Sequence, residues 1–388
     1  MERSVYLDYA ATSPVDPRVA ERMLRCLTAD GAFGNPSSAH RHGAAAMRLV
    51  EQARDSVCAR VGAEPAGLVF TSGATEANNL ALKGVLADAP AERRQLVTTR
   101  IEHKSVLDTA RALEAAGCEI SWVDCDTRGV VRPEAVAEAI GPRTALVSVM
   151  HVNNETGAVQ DVAALAGLCR ERGVLLHVDA AQSVGKVPLD IGAAGIDLCS
   201  LTAHKACGPK GVGALYVRPG VRLEPQLHGG EQQRGLRPGT LPTHQIVGMG
   251  SAYALADPAG EGPRLRELRL RLWRGLAAIH GASVNGDLDS GAPHILNVAF
   301  PGVDGESLRC AIREISVSAG SACTSDSPEA SHVLSTMGLP DARALGSIRF
   351  GIGRFTTAEE VDYAAARVAA EVARLRALAD AAPRWCSA

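Results

Sequence analysis

An acid and a lysine stand near the ends of two apolar stretches in the middle of the chain. Residues 174–178 form a short apolar run that favours a buried parallel strand, and Asp179 follows it directly. Residues 196–201 form a second apolar run, which leads into Thr202, His204 and Lys205. Open α/β sheets bind their ligands at the carboxyl ends of the strands. The two stretches therefore predict that Asp179 and Lys205 belong to one ligand site.

This pair matches what pyridoxal phosphate (PLP) requires of a protein. The cofactor needs a lysine amine for its Schiff base, and a carboxylate beside its pyridine nitrogen keeps the ring an effective electron sink. Lys205 and Asp179 fit these two roles. A strand-end acid that caps a loop and a surface lysine would explain the same residues without a cofactor, so the segment alone leaves both interpretations open.

The chain has so few lysines that each can be weighed in turn: Lys83, Lys104, Lys186, Lys205 and Lys210. Lys83 falls in a helical pattern, Lys104 follows a histidine at another loop, and Lys186 lies in a turn. Lys210 is the main competitor, but it lies between glycines in GPKGVG, a loop that suits a phosphate or a neighbouring subunit better. Lys205 at the strand end is the preferred Schiff-base lysine.

Composition indicates a globular protein with more than one core. The 388 residues are 46% hydrophobic and carry a formal charge of −3, which gives no reason to expect nucleic acid as a direct partner. The N-terminus lacks an apolar signal core and no run is long enough to span a membrane, so we expect a cytoplasmic protein without a membrane partner. The ten cysteines include no zinc-like spacing, so no metal site is expected.

Helical and strand patterns alternate over residues 44–217, which predicts a doubly wound α/β sheet. A long helix is expected over 241–256, a linker over ADPAGEGP, a helix over 264–279 and an α+β region over 285–388. We therefore expect a large domain over residues 14–256 and a small domain built from 1–13 and 257–388.

Three further segments carry polar side chains next to predicted strands. GLVFTSGATEANN reads as strand, turn and helix, and its backbone N–H groups with Thr75 form a possible anion cradle. His103 enters a helix, where it could be a simple cap or could stack on a pyridine ring and transfer protons. In HVNNETG the two asparagines could serve merely to shape a turn. Alternatively, Asn154 could contact the cofactor and the substrate.

Cys323 differs from the other cysteines in its surroundings. It lies in SAGSACTSDS, among small polar residues that predict a flexible loop, whereas most of the others fall in helix or strand patterns or at packing positions. It is the candidate nucleophile, although an incidental loop thiol would have the same neighbours. Cys207, two residues past Lys205, is the rival and is expected to be buried.

Eight motifs along the chain resemble those of cysteine desulfurases of the NifS/IscS type, in the same order: SGATEANN, EHKSVLDTAR, HVNNETG, HVDAAQSVGK, AHKACGPKGVGALYVR, RPGTLPTHQIVGMG, SAGSACTSDS and SIRFGIGRFTTAEEVD. The resemblance covers nearly the whole chain. It implies a PLP-dependent transferase of fold type I that works as a homodimer. The implied large domain has a mainly parallel seven-stranded sheet sandwiched by helices, beside a smaller α+β domain.

The resemblance also implies roles for individual residues. Lys205 matches the Schiff-base lysine, Asp179 the pyridinium partner and His103 the stacking histidine. The other implied cofactor contacts are Ala74, Thr75, Gln182, Thr202, His204 and, toward the phosphate of the other subunit, Thr240. The implied holders of the substrate carboxylate are Asn154 and Arg349, and Cys323, on a loop of about residues 318–332, matches the sulfur acceptor.

The implied reaction converts L-cysteine to L-alanine and leaves a persulfide on Cys323 for a sulfur-acceptor protein. That acceptor stays open between an iron-sulfur scaffold, a tRNA-thiolation protein and the DNA phosphorothioation machinery, because the C-terminal tail ALADAAPRWCSA is unlike the tail of members that dock a scaffold. A selenocysteine lyase or another class V aminotransferase-fold enzyme is an alternative. So is a catalytically idle protein that only binds a sulfur-relay partner.

Overall fold

A seven-stranded sheet forms the centre of the computed structural model, which describes residues 4–319 and 330–381. Its strands in chain order are β2 (Leu68–Thr71), β3 (Gln95–Thr99), β4 (Glu119–Val123), β5 (Thr144–Met150), β6 (Leu175–Asp179), β7 (Leu198–Thr202) and β8 (Gly213–Val217). Their spatial order is β2-β8-β7-β6-β5-β3-β4, and β8 alone runs antiparallel to its neighbours. The predicted mainly parallel sheet is confirmed.

Helices cover both faces of this sheet, so its central strands are buried on both sides and read as continuous apolar runs. They are α1 (Pro17–Leu24), α2 (Arg41–Val61), α3 (Ala74–Asp88), α4 (Lys104–Ala115), α5 (Pro133–Ala139), α6 (Val162–Arg172), α7 (Ile191–Ala194) and α8 (Thr243–Ala254). Side chains of α3 and α4 fill the core on one face. Those of α2, α6 and α8 fill the core on the other.

A smaller antiparallel sheet follows, in the order β12-β13-β10-β9. Its strands are β9 (Ser283–Val284), β10 (Ile295–Ala299), β12 (Ser318–Ala319) and β13 (Ser347–Gly351), while β1 (Val5–Tyr6) pairs in parallel with β11 (Ile315–Ser316). The remaining helices are α9 (Pro258–Leu276), α10 (Gly305–Ala311), α11 (His332–Thr336), α12 (Asp341–Leu345) and α13 (Ala358–Ala381). A separate apolar cluster, centred on Leu272, Phe300 and Phe350, lies under this sheet.

The segment ADPAGEGP is not the linker that its composition predicts. It opens α9, because Asp257 accepts a hydrogen bond from the backbone N–H of Gly260 at 3.0 Å and Pro258 occupies the first helical position. Proline is tolerated there because that residue has no helical partner for its N–H. The proposed division of the chain at residues 256–257 falls directly before this helix, and the domain limits remain a prediction.

Among the residues that the structure describes, no helix has the length and apolar character needed to cross a membrane.

Candidate active site

The strand ends that the sequence singles out lie side by side. Asp179 is the last residue of β6, Thr202 is the last residue of β7, and these two strands are neighbours in parallel. A cavity of about 490 Å³ opens at this carboxyl edge. The predicted site residues that line it are Ala74, Thr75, His103, Asn154, Asp179, Gln182, Thr202, His204, Lys205 and Arg349.

Two donors fix the Asp179 carboxylate at the cavity wall. Its Oδ1 accepts a hydrogen bond from the backbone N–H of Ala181 at 2.9 Å, and its Oδ2 accepts one from Nδ2 of Asn78 at 2.8 Å. Asp179 is only 4% exposed, and Asn78 on α3 is completely buried. The carboxylate therefore has one defined orientation beside the ligand space.

The same asparagine extends this arrangement to His103. Nδ2 of Asn78 also donates to Oγ of Ser105 at 2.8 Å, and that hydroxyl lies 2.8 Å from Nδ1 of His103. The backbone N–H of Ser105 donates to the same Nδ1 at 3.1 Å, which makes His103 the N-cap of α4. Burial, followed by the charge of Lys205, lowers the pKa of His103. The imidazole is thus neutral at pH 7, with its proton on Nε2.

One end of the cavity is suited to an anion. Helix α3 begins there, and its first residues, Ala74 and Thr75, line the space with their backbone N–H groups unpaired by the helix. The hydroxyl of Thr202 is buried and has no hydrogen-bond partner among the residues described. Lys210 and Gly211 line the same cavity, so the phosphate interpretation of this loop stays open beside that of a contact with a neighbouring subunit.

His204 lies near this anion end. Its Nδ1 is 3.1 Å from Oγ1 of Thr12. Burial lowers the pKa of His204 to about 4, with further contributions from the charges of Lys205, Lys210 and Lys186. His204 is therefore a neutral hydrogen-bonding group at pH 7.

The two asparagines of HVNNETG have different surroundings. Asn153 is buried and shapes the turn, since its Nδ2 donates to the carbonyl of Ile101 at 3.0 Å and its Oδ1 accepts from the N–H of Glu155 at 2.9 Å. The side chain of Asn154 instead lines the cavity. Asn154 therefore stays the predicted contact to cofactor and substrate.

Arg349 joins the small sheet to the cavity. It lies on β13 and is 2% exposed. Its Nη1 donates to the carbonyl of Asn154 and its Nη2 to Oδ1 of Asp8, both at 2.9 Å. Its Nε is buried without a hydrogen-bond partner in the described ranges. The guanidinium is thus fixed in the wall by two protein acceptors.

Glu155 is a cavity residue that the sequence analysis passed over. It is 3% exposed and forms a hydrogen bond with the hydroxyl of Ser331, the residue that caps α11. Burial raises the pKa of the Glu155 carboxyl to about 7, although the nearby charges of Arg349 and Lys104 oppose this rise. The sequence could have indicated Glu155, because in HVNNETG an acid directly follows the two asparagines.

Gln182 is held between two parts of the chain. Its Nε2 donates to the carbonyl of Ala10 at 2.7 Å, and its Oε1 lies 3.4 Å from Nε2 of His294. His294 is completely buried, and burial holds its pKa well below the usual value. The neutral imidazole can therefore donate to Gln182.

Two predicted site residues are not among those that line this cavity in the described part of the chain. Thr240 is exposed and is not among the cavity-lining residues. Cys323 lies outside the described residues, as does most of the predicted loop of about 318–332. Cys207, the rival nucleophile, is 5% exposed, in keeping with the expected burial.

The set of groups around the cavity fits PLP. The amine of Lys205 suits the aldehyde of PLP, and the fixed carboxylate of Asp179 suits its ring nitrogen. The start of α3 suits the phosphate, together with the Thr202 hydroxyl, which has no partner within the described ranges. Apolar side chains of Met150, Val152 and Ala181 complete the lining and suit the faces of an aromatic ring.

Comparison with known proteins places the whole chain among related sequences. A family described as aminotransferase class-V matches residues 5–364. A cysteine desulfurase IscS of Aeromonas hydrophila is 53% identical over 99% of this chain and 96% of its own length. The solved structure of a NifS-like protein superposes with a TM-score of 0.90 at 37% identity, covering 96% of this chain and 100% of the other. That of SspA in complex with cysteine gives a TM-score of 0.82 at 36% identity, covering 91% and 100%.

Proposed function

Because the chain belongs to the class-V aminotransferase family, and within it is a PLP-dependent cysteine desulfurase of the IscS type, we propose that it converts L-cysteine to L-alanine with Lys205, Asp179 and Cys323 as the central residues. The observation that carries this assignment is the meeting of Asp179 and Lys205, from adjacent strand ends, in one cavity with Arg349.

Each part of the cavity would hold a different part of PLP, which when bound supplies an electron sink for the substrate carbon. Lys205 would bind the aldehyde carbon through its amine, and Asp179 would hold the proton of the ring nitrogen. Gln182 would donate its second Nε2 hydrogen to the phenolic oxygen, since the first is used by the carbonyl of Ala10. The start of α3 with the Thr202 hydroxyl and His204 would bind the phosphate.

Arg349 and Asn154 are the proposed binding residues for the substrate carboxylate. A guanidinium offers five N–H donors in a planar fork, and Nη1 and Nη2 of Arg349 each donate one hydrogen bond to a protein acceptor. The carboxylate of L-cysteine would therefore share the guanidinium with Asp8. The amide of Asn154 lies beside this position and would add one hydrogen bond.

The proton transfers are assigned to Lys205, whose amine can take the proton from the substrate carbon once the substrate occupies the site. His103 is proposed as the stacking residue and as a donor through Nε2. Its Nδ1 already accepts from the backbone N–H of Ser105, so it could take up a proton there only if that contact broke.

The sulfur would leave the substrate by attack of the Cys323 thiolate on the substrate sulfur. A sulfur-sulfur bond forms and the carbon-sulfur bond breaks. The carbon keeps the electron pair of that bond and takes up a proton, so that alanine is released and the persulfide remains on Cys323. No external oxidant or reductant is required.

We further propose a homodimer that passes this sulfur to an acceptor protein, in the first place for iron-sulfur clusters. Support for the dimer comes from Thr240, which is exposed on a loop tied to the anion end of the cavity by the ion pair of Arg237 with Glu76 at 2.9 Å. A cytoplasmic location is supported by the cysteines of the described ranges, Cys26, Cys58, Cys118, Cys125, Cys169, Cys199, Cys207 and Cys310, which are all free thiols.

The test is to measure alanine and sulfide together after incubating the PLP-loaded protein with L-cysteine and a reductant. We expect equal amounts from wild type, loss of both in Lys205→Ala and Cys323→Ala, and wild-type amounts in Cys310→Ser, which removes an exposed thiol on α10. If Cys323→Ala forms alanine at the wild-type rate, the assignment of the nucleophile is wrong. If wild type forms none, the proposed function is wrong.

A further inference from the structure

The backbone of Cys207 has an unusual conformation close to Lys205. Its φ is +59°, in the left-handed region that a residue with a side chain adopts only at a cost. The next residue, Gly208, is needed for a different purpose, because a Cβ atom there would lie 2.9 Å from both the Cβ and the carbonyl oxygen of Ala203. Strained residues of this kind persist where the surrounding structure holds them, often beside functional sites.

This conformation closes a tight turn, residues 203–208, that contains Lys205. The backbone N–H of Gly208 donates to the carbonyl of Ala203 at 3.0 Å. This hydrogen bond spans Lys205 and Cys207, so it can close only while Cys207 keeps its conformation. The direction of the backbone at Lys205 therefore depends on the φ of Cys207.

Ser13, in the N-terminal segment, bridges the two sides of this turn. Its Oγ donates to the carbonyl of His204 at 2.6 Å and accepts from the backbone N–H of Cys207 at 2.8 Å. Its backbone N–H donates to the same carbonyl at 2.8 Å. Ser13 is 2% exposed and is not among the residues that line the ligand cavity in the described ranges. One buried hydroxyl thus joins the residue before Lys205 to the residue two positions after it.

Other residues of the N-terminal segment contact the same turn. The backbone N–H of Asp16 donates to the carbonyl of Cys207 at 3.0 Å, and Oγ1 of Thr12 lies 3.1 Å from Nδ1 of His204. Asp16 is itself fixed by Arg354, whose Nη1 donates to its Oδ2 at 3.0 Å. These contacts do not involve the Ser13 hydroxyl, so we expect the segment to stay in place when that hydroxyl is removed.

We propose that Ser13 is a positioning residue whose hydroxyl, by holding Cys207 in the left-handed conformation, places the amine of Lys205 for bonding to PLP. The proposal rests on the proposed role of Lys205. In that bond the amine nitrogen joins the aldehyde carbon of PLP and one water molecule leaves, so no other reagent is needed. A misplaced lysine would weaken this bond but not the contacts that the ring and the phosphate make elsewhere in the cavity.

The experiment compares two ligands by equilibrium dialysis against the PLP-free chain. One is PLP, and the other is 4-deoxypyridoxine phosphate, which lacks the aldehyde and cannot bond to Lys205. Ser13→Ala should bind PLP about 3- to 10-fold more weakly than wild type, the effect of losing a neutral hydrogen bond, and should bind the aldehyde-free ligand within about twofold of wild type.

Two control variants accompany this comparison. Ser13→Thr keeps the hydroxyl and should retain most of the affinity for PLP. Ser56→Ala removes a hydroxyl that donates to the carbonyl of Gln52 within α2, and it should change neither affinity.

A further variant tests the left-handed residue itself. In Cys207→Gly the residue can adopt this conformation without the steric cost of a side chain. The effect of Ser13→Ala on the affinity for PLP should therefore be smaller in the Cys207→Gly chain than in wild type.

Equal weakening of both ligands in Ser13→Ala, or no weakening of either, would overturn the proposal while leaving Lys205 in its role. An effect of Ser13→Ala that is as large in the Cys207→Gly chain as in wild type would overturn it as well. Ser13→Cys replaces the alanine variant if that variant fails to fold. If borohydride fixes PLP to another lysine of the wild-type chain, the proposed function is refuted instead.

Discussion

Asn78 donates a hydrogen bond of 2.8 Å from Nδ2 to Oδ2 of Asp179, a residue 101 positions further along the chain. The same Nδ2 donates to Ser105, whose hydroxyl lies 2.8 Å from Nδ1 of His103. One buried amide thus sets the position of both the proposed pyridinium partner and the proposed stacking residue. Its own Oδ1 is buried without a hydrogen-bond partner in the described part of the chain.

Replacing Asn78 by alanine should weaken PLP binding about tenfold or more, because a buried hydrogen bond to a charged oxygen contributes roughly 1.5–3 kcal/mol. Equilibrium dialysis of PLP against the PLP-free chain measures the change. Asn79→Ala is the matched control, since Asn79 follows on the same helix and its side chain donates to the carbonyl of Thr75 at 3.0 Å. Equal affinities for wild type and Asn78→Ala would show that Asp179 does not depend on this contact.

Replacing Arg349 by lysine should raise the KM for L-cysteine about 10- to 100-fold, with a smaller effect on kcat. Lysine keeps the charge but loses the planar fork that can bind Asp8, the carbonyl of Asn154 and a carboxylate together. Steady-state alanine formation measures both constants, with Arg374→Lys on α13 as an exposed control. An unchanged KM would remove Arg349 from the substrate site.

Glu155 should make the folded chain less stable as the pH rises. Burial raises the pKa of its carboxyl to about 7 from the ordinary 4.5, so between these values the folded state holds a proton that the unfolded state has lost. The corresponding stability is present below about pH 4.5 and is lost as the pH rises through 7.

Urea unfolding between about pH 5 and about pH 8 tests this loss. The free energy of unfolding of wild type should fall relative to Glu155→Gln by up to about 3 kcal/mol across that window. Glu92→Gln, which changes an exposed carboxyl, serves as the control. Parallel curves for wild type and Glu155→Gln would contradict the prediction.

His177 should make the folded chain less stable as the pH falls, whereas Glu155 does so as the pH rises. It is completely buried, with its two ring nitrogens 2.8 and 2.9 Å from the hydroxyls of Ser148 and Ser200. Burial lowers its pKa to about 4 from 6.5, so in that window the unfolded state binds a proton that the folded state excludes. Stability attributable to His177 is complete above pH 6.5 and is lost as the pH falls through 4.

The variant His177→Gln should therefore lose less stability than wild type between about pH 6.5 and about pH 4, by up to roughly 3 kcal/mol. Urea unfolding at three or four values of pH measures how the free energy of unfolding changes with pH. The variant His280→Gln, which changes an exposed histidine, provides the reference. A steeper acid loss in His177→Gln than in wild type would contradict the assignment.

The sequence predicted best those residues whose positions follow from local pattern. Asp179 and Lys205 come after apolar runs that form buried neighbouring strands, and strand ends in a parallel sheet meet at one edge. The helix over 241–256 and the burial of Cys207 likewise follow from periodicity and from neighbouring residues.

The residues it missed act through contacts between distant parts of the chain. Asn78 stands in an ordinary helical pattern, and only the packing of α3 on the sheet brings it to Asp179. Asp8 and Arg349, which form an ion pair, are 341 positions apart in the sequence. Ser331 and Glu155, which share a hydrogen bond, are 176 positions apart. The start of α9 was missed because Gly and Pro usually indicate a loop, whereas here the cap by Asp257 and the first-turn proline favour a helix.

The central claim is that sulfur passes from L-cysteine to Cys323 in a site built around Lys205. Its most direct test uses one turnover of L-cysteine that carries a heavy sulfur isotope, followed by alkylation and peptide mass spectrometry. We expect one labelled persulfide on Cys323 for each alanine formed, and none in Lys205→Ala. Label on Cys207, or alanine formed without label on any cysteine of the chain, would contradict the claim.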